Sequence, residues 1–106
     1  MNKVLIIGVV NRGFGDMIMA AAKKAGATGG TIVPARGTGK AEAIKFLGVT
    51  IDPEKNMLMI MVDNSLKVTI MEAIYERASM HNKGNGIVFS LPVDSVMGAD
   101  YPNLPM

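Results

Sequence analysis

Two glycine-rich stretches hold the residue types in this chain best suited to chemistry. The first is Gly26–Lys40, Gly-Ala-Thr-Gly-Gly-Thr-Ile-Val-Pro-Ala-Arg-Gly-Thr-Gly-Lys, with five glycines and two cations. The second is Lys83-Gly84-Asn85-Gly86. Glycine has no Cβ to hold a phosphate away from the backbone, and successive N–H groups can form a nest for an anion. A neighbouring lysine adds a point charge. Each stretch alone also reads as an ordinary turn between elements. Gly37-x-Gly39-Lys40 lacks the length and the Lys-Ser/Thr ending of a Walker loop. A third glycine pair, Gly13-x-Gly15, opens like a dinucleotide fingerprint, but Ile18 stands where the third glycine belongs. Arg12 beside it is a candidate for binding an acyl phosphate.

Other chemistry is poorly supplied. There is one histidine, His81, and no cysteine, which argues against a transition-metal site and a disulfide framework. Glu42, Asp52, Glu54, Glu72, Glu76 and Asp94 show no spacing that pairs carboxylates for acid–base work. Phe89 is the only aromatic residue expected in a strand core, too few for a sheet that stacks RNA bases. A net charge of +2 is no footprint of nucleic acid. The ten methionines read as flexible core filler. With 106 residues, 49% of them apolar, the chain has the size and composition of one globular domain. Its longest apolar runs are too short to span a bilayer, no signal-peptide pattern opens it, and a cytoplasmic location is expected.

The elements that must position these residues follow from periodicity. Lys3–Val10 is aliphatic without alternation and reads as a strand buried on both faces. Asp16 opens a helix with Ile18, Ala21, Ala22 and Ala25 inward, and Gly26 is its C′ stop. Thr31–Arg36 is a second strand, with Pro34 marking an edge, a bulge or the strand's end. Gly37–Pro53 is a long connection, expected to be mobile, with a turn or two of helix within Ala41–Leu47. Asn56–Val62 is a third strand, with Met57, Met59 and Met61 on one face and Leu58, Ile60 and Val62 on the other. Asp63, Asn64 and Ser65 are N-cap candidates for a helix reaching about His81, with Leu66, Ile70, Ala73 and Ile74 inward. Ile87–Val93 is the fourth strand. Pro102 and Pro105 should keep the tail irregular.

The order β-α-β-β-α-β is that of a ferredoxin-like α+β sandwich, a four-stranded antiparallel sheet with two helices on one face. Two helices leave the other face open, yet the first and third strands are apolar on both faces. A second copy of the chain is the simplest cover, since wet apolar area costs roughly 25 cal/mol per Å².

Gly26-Ala-Thr-Gly-Gly-Thr, Arg36-Gly37-Thr38-Gly39 and Gly84-Asn85-Gly86-Ile87-Val88-Phe89 together resemble the PII nitrogen-regulatory signalling proteins, over about Lys3 to Gly98. The resemblance implies a domain over 1–98 with a mobile loop at 37–53, a tail at 99–106, and a trimer with its sheets packed inward. It implies an adenine nucleotide (ATP, ADP or AMP) bound between subunits, no metal, and no catalysis. It further implies a regulated partner protein, such as a membrane transporter or a metabolic enzyme, engaged through loop 37–53. By position, Gly37, Thr38, Gly39 and Lys40 resemble the loop base that contacts the nucleotide, and Gly84, Asn85 and Gly86 the turn that wraps its phosphates, with Lys83 as an added cation. Thr28, Gly29 and Gly30 would lie beside the adenine.

The chain departs from the family pattern in several places. Ile87 replaces a lysine, Asn85 an aspartate and Ala41 a glutamine, and the tail has no arginine. The loop has no tyrosine to modify. Fewer cations imply weaker triphosphate binding and poor discrimination between ATP and ADP. Loss of the glutamine puts sensing of 2-oxoglutarate in doubt. Two other classes fit the same residues: an acylphosphatase-like hydrolase using Arg12, and a structural trimer with a degenerate pocket.

Overall fold

The structure, a computed structural model, describes residues 2–37, 44–46, 49–51, 54–98 and 101–105. In chain order the elements are β1 (Lys3–Asn11), α1 (Gly15–Lys24), β2 (Thr31–Arg36), β3 (Ile44–Phe46), β4 (Val49–Ile51), β5 (Glu54–Asp63), α2 (Lys67–Arg77), β6 (Gly86–Pro92), β7 (Ser95–Gly98) and β8 (Tyr101–Pro105). A single 3₁₀ turn, Asn64–Leu66, leads into α2. The main sheet has four strands in the order β2-β5-β1-β6. All three pairings are antiparallel, so β1 and β5 are central while β2 and β6 are edges. This is the ferredoxin-like α+β arrangement expected from the element order. Pro34 lies in edge strand β2, where its missing N–H breaks no ladder.

The core lies between the sheet and the helices. Ile6, Leu58 and Ile60 from the central strands meet Ile18, Ile70 and Ile74 from α1 and α2, all fully buried. The opposite sheet face is apolar and open in the single chain. Register aligns Leu5 with Met61 and Leu91, Ile7 with Met59 and Phe89, and Val9 with Met57 and Ile87. Ile87, Phe89 and Leu91 are 60%, 40% and 47% exposed. The two-faced apolar pattern of the first and third strands is therefore real, and only one face is covered.

Several boundaries differ from expectation. Helix α2 ends at Arg77, four residues short of His81, because Ser79 takes a left-handed φ of +53°. The Met80 N–H then reaches the Tyr75 carbonyl and the Ser79 N–H the Glu76 carbonyl, which is a Schellman ending. Neither Asp63 nor any other side chain caps the 3₁₀ turn or α2; the Asp63 carboxylate accepts from Lys3 Nζ at 2.7 Å instead. Where a turn of helix was expected within Ala41–Leu47, Ile44–Phe46 pairs with Val49–Ile51 as a short antiparallel ladder, in keeping with its β-branched and aromatic residues. The tail is also more regular than its prolines imply, since Tyr101–Pro105 pairs with Ser95–Gly98. In a two-stranded ribbon each strand has a free side, where a residue without an N–H does no harm.

Candidate functional site

One end of the main sheet gathers most of the polar residues that matter. Here β2 ends at Arg36, β5 begins at Glu54, β1 ends at Asn11 and β6 begins at Gly86. Register confirms the alignment: Arg36 faces Glu54, Asn11 faces Lys55, and Gly86 faces Val10.

The second glycine stretch forms a tight turn at this end. The Asn85 N–H donates to the Asn82 carbonyl at 3.3 Å, and Gly84 at φ +84° supplies the left-handed third position that a type II turn requires. The N–H groups of Lys83 and Gly84 donate to no acceptor among the described residues. Lys83 and Gly84 are exposed, and Asn85 and Gly86 are half-buried. The Asn85 side chain is committed, its Nδ2 donating to the Ser79 carbonyl at 3.1 Å. The turn thus presents two open backbone donors beside an exposed ammonium, an arrangement suited to an anion. Gly86 serves the fold: a Cβ there would stand 2.1 Å from the Val9 carbonyl oxygen.

The first glycine stretch is only partly described. Gly37 is half-buried and directly follows β2, while Thr38, Gly39 and Lys40 lie outside the described residues. Gly37 shares the sheet end with the turn but sits on the opposite edge strand. Three inter-strand steps separate the two edges, about 14 Å. Thr28, Gly29 and Gly30 precede the other end of β2, roughly 20 Å from Gly37 along the strand. Gly30 has a packing role, since a Cβ there would come within 2.8 Å of Ile60, Met19 and the Met59 carbonyl. Within one chain, then, Gly37, the Gly84 turn and Thr28–Gly30 stand apart from one another.

The Arg12 loop is arranged differently from an anion cradle. The Gly13 and Gly15 N–H groups both donate to Asn56 Oδ1 at 3.2 Å. The Arg12 N–H donates to the Glu54 carbonyl and the Phe14 N–H to the Asn11 carbonyl. The Arg12 guanidinium is paired with the Glu54 carboxylate. Every loop amide from Arg12 to Gly15 therefore has a protein partner. Gly15 is needed for this closeness, because a Cβ would lie 2.9 Å from Asn56 Oδ1.

Three residues that the motif reading passed over hold this end together. Asn56 fills the β1–α1 loop. Lys55, only 4% exposed, donates from Nζ to Asn11 Oδ1 at 2.6 Å. Asn11 in turn donates from Nδ2 to the Gly84 carbonyl at 3.0 Å. No sequence signal marked it: Lys55 shares the parity of Met57, Met59 and Met61, the sheet face that the helices leave uncovered, where burial of a cation is not expected.

Among the described residues no group of three or more His, Cys, Asp or Glu side chains is placed to hold a metal. No helix among them is long and apolar enough to cross a membrane. No curated protein matches the sequence. The family model for nitrogen regulatory protein P-II matches residues 1–99. That match spans the helices, the whole main sheet and both glycine-rich stretches, and the chain belongs to the P-II nitrogen regulatory protein family.

Proposed function

We propose that this protein is a homotrimeric signal-transduction regulator that binds an adenine nucleotide between subunits and acts on a partner protein through residues 37–53. The observation that carries the reading is the glycine turn, with open Lys83 and Gly84 N–H groups and an exposed Lys83 ammonium. This turn shares a sheet end with Gly37 but lies on the opposite edge. A ligand touching both needs two chains, one giving its β2 edge and the other its β6 edge. The open apolar face supplies the means of bringing the chains together.

In this reading Gly84, Asn85, Gly86 and Lys83 surround the phosphates of the nucleotide. Gly37, Thr38, Gly39 and Lys40 of a neighbouring subunit complete the site, and Thr28, Gly29 and Gly30 lie along the same β2 edge toward the base. Family membership supports regulation over catalysis. The hydrolase reading through Arg12 is disfavoured, because the loop amides it needs are taken by Asn56, Glu54 and Asn11. The partner is a membrane transporter or metabolic enzyme, and the protein works in the cytoplasm, with nitrogen status a candidate signal.

Calorimetry with ATP, ADP and AMP tests this reading. Lys83→Ala should weaken ADP binding about tenfold, the loss of one charge-assisted contact, with no change in the unfolding midpoint. ATP and ADP should bind within about tenfold of each other, since Ile87 leaves the terminal phosphate short of one cation. If the wild type binds none of the three, the nucleotide reading is wrong and the structural trimer remains.

A further inference from the structure

Asn11 lies between a buried cation and the glycine turn. Its Oδ1 accepts from Lys55 Nζ at 2.6 Å, and its Nδ2 donates to the Gly84 carbonyl at 3.0 Å. We propose that Asn11 is a positioning residue for the glycine turn and that the Lys55 ammonium holds its carboxamide in the orientation the turn requires.

The chemistry runs in one direction. An ammonium can only donate, so the group facing Lys55 must be the carboxamide oxygen. With the oxygen committed, the NH₂ faces the other way and can only donate to an acceptor. The acceptor it meets is the Gly84 carbonyl. Drawing that carbonyl inward fixes the Gly84–Asn85 peptide, whose N–H closes the turn onto Asn82. The Lys83 and Gly84 N–H groups are left outside, where an anion would lie. Burial strengthens the arrangement: Lys55 is 4% exposed, so water cannot replace Asn11 at low cost. Asn11 contributes no atom to the ligand in this account. The proposal rests on the reading that the turn is an anion site, but its first test needs no ligand.

Asn11→Asp separates positioning from simple structural support. An aspartate satisfies Lys55 at least as well, as an ion pair, yet presents an acceptor to the Gly84 carbonyl. A residue that only neutralises Lys55 would leave the turn as it was or stabilise the protein. A positioning residue would release the turn. Amide exchange of Asn85, followed by NMR on the ligand-free protein, should accelerate about tenfold in Asn11→Asp, the loss of one hydrogen bond. ADP affinity should fall about fivefold or more. Lys55→Met, which keeps the buried stem and removes the charge, should act in the same direction. The double variant of Asn11→Ser with Lys55→Met should be no worse than the more affected of its two single variants, because the two residues act in series.

An Asn85 amide that exchanges in Asn11→Asp as in the wild type overturns the proposal, as do strictly additive effects of the two changes. If Lys55→Met does not fold, Asn11→Asp with Asn11→Ser decides the question alone. Should the wild type fail to bind ADP, the nucleotide reading falls, while the exchange measurement still accepts or rejects the link.

Discussion

A Cβ placed on Gly86 would stand 2.1 Å from the Val9 carbonyl oxygen and 3.2 Å from its carbon. Those are backbone atoms of the adjacent strand and cannot swing aside, and Gly86 also has a φ of +129°. Gly86→Ala should therefore destabilise the protein by about 3 kcal/mol in chemical denaturation, through strain and lost β1–β6 pairing. It cannot serve as a selective probe of ligand binding, whereas Gly84 faces open space and Lys83 is exposed. Asn56 presents the opposite case, a side chain whose loss exposes the fold. Asn56→Ala leaves the Gly13 and Gly15 N–H groups without their acceptor. Denaturation should register about 1–2 kcal/mol of lost stability, comparable to removing a helix N-cap. The glycines at 84 and 86 were visible in the sequence as one motif. Which of them serves a turn and which serves a strand depends on Val9, a residue far away along the chain.

The two helices end in the same way but were not equally legible. Helix α1 closes with Gly26 at φ +125°, its N–H on the Lys23 carbonyl and the Ala27 N–H on the Ala22 carbonyl. Glycine at that position announces the stop. Helix α2 closes with the same pair of hydrogen bonds around Ser79, which carries a Cβ into the left-handed region at φ +53°. Nothing in the type of residue marks it, and the helical pattern extends past it to His81. Ser79→Gly should relieve the strain and raise stability by about 0.5–1 kcal/mol, read as an increase in denaturation midpoint without a change in slope. A decrease would mean that the Asn85 contact to the Ser79 carbonyl depends on that backbone geometry. Within the long connection, local signals favoured a helix near Ala41–Leu47. Ile44–Phe46 instead pairs with Val49–Ile51 as a two-stranded ladder. A pairing partner outweighs a weak propensity.

For the molecule as a whole, the decisive feature is the uncovered face of the main sheet. Leu5, Ile7, Val9, Met57, Met59, Met61, Ile87, Phe89 and Leu91 form one apolar surface across three strands. Full burial of an exposed side chain of this kind is worth about 1.5–3 kcal/mol, and these nine are half-buried or exposed in the single chain, so covering the face is favoured. Phe89→Glu places a charge on this face, in the middle of edge strand β6 beside Ile7, at a position 40% exposed in the single chain. The variant should keep its circular dichroism and sediment as a monomer, whereas the wild type should sediment as the proposed trimer. A wild type that sediments as a monomer at micromolar concentration would remove the trimer and, with it, the inter-subunit nucleotide site.

The order of the main-sheet strands and the two helices, the two-faced strands and the first helix stop were readable from the chain, whereas Pro34 alone left edge, bulge and strand end open. The readable features depend on local periodicity and on single residues with special backbone freedom. The polar connections at the sheet end were not readable. Asn56 caps a loop more than forty residues before it, and Lys55 reaches Gly84 through Asn11 across two strands. Such contacts depend on strand register, and register is set by the packing of the whole core. The same physics divides the glycine stretches. Sequence shows two candidate anion stretches, and tertiary structure places Gly37 and the Gly84 turn at opposite edges of one sheet, which is why the proposed site draws on two chains.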